Sequence, residues 1–204
     1  MNTRNSLHEK TLKLTTLAIL TALVIALQLI CTVIKFGPFS ITLALTPIIS
    51  GAAIYGPVTG AFLGFIFSIV VYITGLTGLD GGFILMMMDY SAFGTTVLCL
   101  LKGTAAGFVA GLLFHLLSGK NKTVASIVTS AATPVVNTGL FALGMMTIFY
   151  GFLSGNAADG QSPLGLLFLS WIGINFIVEF VTNLALGTVL TRVVDYFNTK
   201  VRRV

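Results

Sequence analysis

Long runs of apolar residues, separated by short polar or glycine- and proline-rich stretches, dominate the chain. A helix needs about 20 mostly apolar residues to cross the roughly 30 Å hydrocarbon core of a membrane. Turn and charge signals divide the sequence into six such runs. We therefore predict an all-α integral membrane domain with six transmembrane helices, at residues 12–34, 41–54, 58–74, 91–117, 123–152 and 164–194.

The second predicted helix is too short to cross a membrane upright. It contains Pro47 and is closed by the turn residues Tyr55, Gly56 and Pro57. Irregular backbone at membrane depth is tolerated only where protein or a watery cavity covers it. We therefore expect residues 35–47 to form part of a cavity wall.

Two further signals concern helix ends and bends. Asp89 or Ser91 is a suitable N-cap for the fourth helix, because a short polar side chain there accepts from free backbone N–H groups. Pro134 is expected to kink the fifth helix. The first apolar run is longer than the roughly 7–15 residues of a signal-peptide core. We therefore interpret it as the first spanning helix.

Composition agrees with a membrane protein. Of the 204 residues, 56% are hydrophobic and only 8% are charged, whereas soluble domains are about a quarter charged. One membrane domain over residues 1–204 is expected, with short basic tails at about 1–11 and 195–204. Both cysteines, Cys31 and Cys99, fall in apolar runs, which favours small buried side chains over a disulfide framework or a metal site.

The basic residues predict the orientation in the membrane. If both termini lie in the cytoplasm, Lys35 is the only basic residue outside the predicted helices that lies on the outer side of the membrane. Cytoplasmic segments are enriched in lysine and arginine, so this pattern supports an even number of spans with both termini inside. The cytoplasmic basic residues are then Arg4, Lys10, Lys13, Lys120, Lys122, Arg192, Lys200, Arg202 and Arg203.

Three rows of small residues recur at four-residue spacing, which keeps each row on one helical face. Small residues let helix backbones approach closely in lipid, so the two glycine rows are expected to pack helices within the chain. The alanine row has two interpretations, internal packing or a docking stripe for another membrane protein. The rows are Gly56, Gly60 and Gly64; Gly103, Gly107 and Gly111; and Ala18, Ala22 and Ala26.

Polar side chains occur inside three of the predicted helices. Asn175, Glu179 and Asn183 share one face of the sixth helix. A charged side chain at mid-bilayer costs at least about 2.5–3.5 kcal/mol, so Glu179 should face the bundle interior or a cavity. It either pairs with Lys102 as a structural brace or binds a ligand together with Asn175 and Asn137.

Depth in the membrane separates these residues further. Lys102 lies towards the cytoplasmic part of the fourth helix, where its ammonium is able to snorkel to the surface. Asn183 lies deeper than Glu179, which favours a structural role. The glycine-rich connections at 75–82 and 154–160 are either a movable cover or ordinary connections.

Motifs of common catalytic sites are missing from the sequence. It contains no G-x-x-x-x-G-K-S/T, G-x-S-x-G or H-E-x-x-H. We therefore expect neither an enzyme nor an ATPase, and no cofactor, metal site or nucleic-acid partner. The chain also has too few helices for the inverted-repeat bundles of most secondary transporters.

The layout resembles the substrate-binding S component of energy-coupling factor (ECF) vitamin transporters. The resemblance rests on FGPFSITLALTPIISGAAIYGPVTGAFLGF at 36–65, TPVVNTGLF at 133–141, the Lys102-Gly103 run and the alanine row. It covers nearly the whole chain in length and layout.

Membership in this family would imply a binding subunit in a bacterial plasma membrane. Such a subunit captures a vitamin from outside, while a transmembrane coupling protein and two ATPases supply the work. The resemblance also implies that the subunit reorients in the membrane to carry the closed pocket inward. An A-x-x-x-A stripe on the first helix meets the coupling protein in that family, and Ala18, Ala22 and Ala26 match it.

The resemblance further implies an outward pocket formed by helices four to six and the connections after helices one and three. A single deep carboxylate does not favour an anionic solute unless a cation offsets it. This favours riboflavin or a pyridoxine-like molecule over pantothenate or folate. The residues expected in or near the pocket are Asn137, Asn175, Glu179, Phe36, Phe39 and Tyr90.

Two other functions are compatible with the sequence. One is a stand-alone secondary carrier in which Glu179 is a proton-linked site, and uptake by this chain alone in vesicles would favour it. The other is a ligand-free membrane scaffold, which would carry no small molecule when purified.

Overall fold

The computed structural model describes residues 3–33, 35–36, 39–40, 42–197 and 199, with side chains from residue 8 except at 33, 35–36, 39–40, 188, 190 and 191. The two short strands pair antiparallel. In chain order the elements are α1 (Thr3–Val33), β1 (Lys35–Phe36), β2 (Phe39–Ser40), α2 (Leu45–Tyr55), α3 (Pro57–Leu76), α4 (Phe83–Ser118), α5 (Lys122–Thr147), α6 (Tyr150–Gly155), α7 (Pro163–Gly165), a π-helix (Leu166–Ile172) and α8 (Gly173–Tyr196).

Five helical stretches of the described chain are long and apolar enough to cross a membrane. They coincide with five of the six predicted spans, which confirms a helical multi-pass membrane protein. Their boundaries are His8–Thr32, Pro57–Leu76, Phe83–Ser118, Lys122–Thr147 and Pro163–Tyr196.

The remaining predicted span is helical over only part of its length. Helix α2 has 11 residues, which gives about 16 Å, roughly half of the hydrocarbon core. The chain before it is extended at Phe39–Ser40 and has no regular secondary structure at Thr42 and Leu43. A sixth span therefore stays a prediction.

Helix α4 begins eight residues before its predicted start. Ser91 has non-helical angles (φ −157°, ψ 96°) inside α4, and its Oγ accepts from the backbone N–H of Gly94 at 3.3 Å. The prediction that Ser91 caps a helix is therefore confirmed for the segment that follows it. The segment before it is anchored by Asp80, whose carboxylate accepts from the N–H groups of Gly82 and Ile84 at 2.8 Å.

The two predicted glycine rows face each other between α3 and α4. A Cβ added to Gly60 would overlap the carbonyl oxygen of Gly107, and one added to Gly64 would overlap that of Gly103. A Cβ on Gly111 would meet the backbone of Gly56 and its neighbour. The rows therefore pair in antiparallel order, which confirms that they pack helices within the chain.

The buried apolar side chains form two clusters along the bundle. On α4, Leu98 belongs to one cluster and Ala110 to the other. On α5 the corresponding residues are Phe141 and Ala125, and on the last span they are Ile172 and Val194. The stretch between the clusters on each helix contains a polar residue. These residues are Lys102 on α4, Asn137 on α5 and Glu179 on α8.

Several helix ends meet at one end of the bundle, which we call the basic end because Lys13, Lys120, Lys122 and Arg192 lie there. The Nζ of Lys122 on α5 lies 2.7 Å from Oδ1 of Asp195 on α8. The Nζ of Lys13 on α1 lies 5.7 Å from the ring centroid of Tyr55 at the end of α2. This grouping agrees with the charge pattern, and the side of the membrane on which it lies stays a prediction.

Candidate functional site

Charged and amide side chains from three helices converge on one cavity in the middle of the bundle. Lys102 extends from α4, Asn137 from α5, and Asn175 and Glu179 from α8. The cavity has a volume of about 70 Å³. Its other lining residues are Thr42, Thr138, Phe141, Ile172 and Phe176.

Local structure explains how α8 presents its two residues. Asn175 and Glu179 are one helical turn apart and therefore lie on the same face. The π-helix Leu166–Ile172 leads into α8, and such wider turns occur frequently at functional sites. Ile172, its last residue, lines the cavity.

Glu179 is buried, with 6% of its surface exposed. The side chains of Asn137 and Thr42 lie near its carboxyl group. One carboxyl oxygen, Oε1, is buried and has no hydrogen-bond partner among the described residues. A donor that reached Oε1 would therefore form a hydrogen bond that the described structure lacks.

Lys102 neither forms a close ion pair with Glu179 nor extends to the membrane surface. Its Nζ lies 5.1 Å from the ring centroid of Phe141, and it lines the same cavity as Glu179. Within the described part of the chain the close ion pair joins Lys122 and Asp195. The expectation that Lys102 snorkels assumes a position towards the cytoplasmic part of a helix that starts at residue 91. Helix α4 starts at Phe83, so Lys102 lies near its middle.

A second cavity of about 80 Å³ adjoins the first and shares Thr42, Lys102, Asn137 and Phe141 with it. It extends the polar region towards Gln28 of α1 and Asp80 of the α3–α4 connection. The Oε1 of Gln28 and the Oδ1 of Asn137 are buried without hydrogen-bond partners in the described structure. The residues that line the two cavities therefore include acceptors without a donor in the described structure.

Aromatic rings cover the cavities at the end opposite the basic end. The ring of Phe83 lies 5.2 Å from that of Trp171, 6.2 Å from that of Phe152 and 6.3 Å from that of Phe141. Phe83 lines the second cavity and Phe141 lines both. We call Phe83, Phe152 and Trp171 the aromatic cover.

Comparison with known proteins identifies the family. The model for the substrate-specific component of ECF transporters matches residues 12–194. The chain belongs to this family. A comparison with curated proteins finds no match. The resemblance stated from the sequence is confirmed, and the chain is a substrate-specific membrane component of ECF transport.

Of the three predicted aromatic residues, Tyr90 is absent from the described walls of both cavities. Tyr90 is half exposed, and its ring packs against Phe149 and Phe152 at 5.8 Å. The backbones of Phe36 and Phe39 pair in the short antiparallel ladder. The side chains of these two residues lie outside the described part of the structure.

Asn183 of the S component lies apart from Asn175 and Glu179. Its Nδ2 donates to the backbone carbonyl of Glu179 at 2.8 Å. Its side chain lines a separate small gap with Thr46 and Ser130. Shared spacing along one helix therefore did not place all three residues in one site.

The alanine row of the S component faces away from the bundle. Ala18, Ala22 and Ala26 are exposed, whereas Val24 and Gln28 on the same helix are buried. Of the five long apolar helices, α1 buries the smallest share of its span. The internal-packing interpretation of the alanine row therefore does not fit these positions.

Sequence reasoning missed several residues that line the site. Phe141 follows Asn137 by one helical turn, and Phe176 precedes Glu179 by three residues, so helical spacing around the predicted polar residues would have found both. Thr42 had a weaker signal, because it falls within residues 35–47, the stretch expected to form a cavity wall.

Proposed function

We propose that this S component captures a small vitamin-like solute in the cavity lined by Lys102, Asn137, Asn175 and Glu179. One observation carries the proposal: polar side chains from three helices converge between two apolar clusters in the middle of the bundle. Ionisable residues at membrane depth are costly and usually mark substrate pathways. Buried side-chain acceptors usually have a donor, and a bound solute would supply one here.

The buried acceptors without donors indicate which groups the solute carries. Oε1 of Glu179, Oδ1 of Asn137 and Oε1 of Gln28 are all acceptors, so the solute should supply N–H or O–H groups. Lys102 adds a cation to the same cavity. An anionic solute needs a cation that offsets the carboxylate of Glu179, and Lys102 is such a cation. Pantothenate is therefore a candidate together with riboflavin-like and pyridoxine-like molecules.

The size of the cavities implies that they open when the solute binds. Volumes of about 70 and 80 Å³ are below the roughly 300–1,000 Å³ of typical ligand pockets. The connection above them contains Gly78, Gly81 and Gly82, all with positive φ. We infer that the aromatic cover moves outward with this connection and closes again over the solute.

The proposed importer has further parts. The S component spans the membrane six times with both termini in the cytoplasm of a bacterium, and the second crossing combines α2 with the extended backbone before it. The exposed alanine row on α1 docks against a transmembrane coupling protein. Two ATPases bound to that protein supply the energy.

Small-molecule mass spectrometry of the purified S component tests the proposal. The protein is purified without added vitamin and denatured, and the released molecules are identified. Isothermal titration calorimetry with riboflavin, pantothenate and pyridoxine then measures affinity. We expect one co-purified solute in a near-stoichiometric amount. Absence of any released solute, together with no binding of the three vitamins, would instead support a ligand-free scaffold.

A further inference from the structure

An apolar groove lies between α1, α2 and α8, apart from the polar cavities. Its volume is about 460 Å³. Leu20, Leu23 and Leu27 form its α1 wall, and Ile54, Val193 and Phe197 contribute walls from the other two helices. Leu23 and Val193 are both exposed, so the groove is open to the surrounding bilayer.

The length of the groove matches one leaflet of a membrane. Its α1 wall extends from Thr16 to Leu27, a rise of about 16 Å at 1.5 Å per residue. Half of the hydrocarbon core is about 15 Å. The groove runs from Phe197 near the basic end towards the middle of the bundle. Its dimensions therefore suit one extended acyl chain.

The groove begins beside an excess of positive charge. The Nζ of Lys13 lies over the ring of Tyr55, and that ring packs 5.6 Å from the ring of Phe197, which lines the groove. Arg192, also exposed, precedes the groove residue Val193. Of the nearby acids, Asp195 is already paired with Lys122, and Glu9 lies one turn before Lys13.

We propose that this groove binds one anionic phospholipid, with an acyl chain along Leu20, Leu23 and Leu27 and the phosphate beside Lys13. Basic residues at the ends of transmembrane helices attract anionic headgroups, and the groove supplies an apolar surface of matching length. The alanine row lies roughly 130° around α1 from the groove wall, at 3.6 residues per turn. A protein docked on that row would therefore leave the groove to lipid.

Native mass spectrometry tests the lipid site. The purified S component is mixed in detergent with equal amounts of phosphatidylglycerol and phosphatidylcholine, and the retained lipid is counted. We expect the wild type to retain one phosphatidylglycerol. Lys13→Gln should lower the preference for this lipid about fivefold, the effect of one lysine near an anionic surface. Leu23→Trp should fill the groove and reduce retention of both lipids.

Leu29→Trp is the matched control, because Leu29 is exposed on α1 but does not line the groove. It should retain lipid as the wild type does. Equal retention of the two lipids by the wild type, or unchanged retention by Leu23→Trp, would overturn the proposal. A cysteine cross-link from position 23 to a second copy or to the coupling protein, formed in lipid vesicles, would also overturn it. If Leu23→Trp fails to fold, the exposed Lys13→Gln exchange still decides the result.

Discussion

Glu179 lies half-way along the last span, between two apolar clusters, with one carboxyl oxygen lacking a partner in the described structure. An unsatisfied buried polar atom costs about 1–3 kcal/mol. The S component tolerates this cost in a position where Asn137 and Thr42 lie near the carboxyl group. A solute that donates to Oε1 would recover part of it on binding.

Replacing the carboxylate tests its role with little change in shape. We expect Glu179→Gln to weaken binding of the solute at least about tenfold, because hydrogen bonds to charged groups contribute about 1.5–3 kcal/mol. Calorimetry on the purified variant measures this change. Asn183→Ala is the control on the same helix, since Asn183 lies outside the cavity, and its affinity should equal that of the wild type. Unchanged affinity in Glu179→Gln would remove this residue from the site.

The energetic cost of burying polar groups was sufficient to select Asn137, Asn175 and Glu179 from the sequence. It did not place Lys102 in the same cavity, because the depth of a residue depends on where its helix starts. Spacing alone did not separate Asn183 from Glu179, since it gives a helical face but not the neighbouring element; the greater depth of Asn183 favoured its structural role. Tyr90 was selected by its residue type alone, and the structure packs it on other aromatic rings.

Helices α3 and α4 approach each other through backbone along their glycine rows. Their glycine rows leave no room for a Cβ at Gly60, Gly64 or Gly107, so the backbones approach as closely as small residues permit. This contact fixes α4, which carries Lys102, against the rest of the bundle. The geometry of the site therefore depends on a helix interface away from the cavity.

A single methyl group should disturb this interface. Gly107→Ala places a Cβ against the carbonyl oxygen of Gly60, and overpacking of this kind costs about 1–3 kcal/mol. We expect the apparent melting temperature in detergent to fall by about 2–10 °C. Gly139→Ala is the matched control, because a Cβ there meets no atom within 4 Å. Equal melting temperatures for the two variants would contradict the close α3–α4 contact.

For the helices, the sequence predicted the packing faces and the approximate lengths but not which helices pack together. Four-residue spacing showed that each glycine row lies on one face, and the antiparallel pairing became visible only in the folded chain. The start of α4 was missed because Asp89 and Ser91 both resemble caps, and Ser91 does break the helix. The π-helix had no signal, since apolar side chains alone do not distinguish it from an α-helix.

Helix α1 contributes two different regions to the outer surface of the molecule. The alanine row is exposed and made of small residues, whereas the groove wall is lined by leucines. Apolar composition and the charge pattern were sufficient to predict a helical membrane protein. They do not determine the solute, because its recognition depends on side chains that only the tertiary structure brings together.

A bulky residue in the alanine row should separate docking from solute capture. We expect Ala22→Trp to bind solute with wild-type affinity, since Ala22 is exposed on the outside of the bundle, and to lose most co-purification with the coupling protein. Affinity purification of the co-expressed complex measures this loss. Leu143→Trp adds the same bulk at an exposed position of α5 and should assemble normally. Normal assembly of Ala22→Trp would contradict docking at this row.

The most direct test of the binding site is an experimental structure of the S component with its co-purified solute. We predict density for the solute between Lys102 and Glu179, within hydrogen-bonding distance of Oε1 of Glu179 and beneath a displaced aromatic cover. Solute density elsewhere in the protein, with the space between Lys102 and Glu179 still closed, would contradict the proposed site.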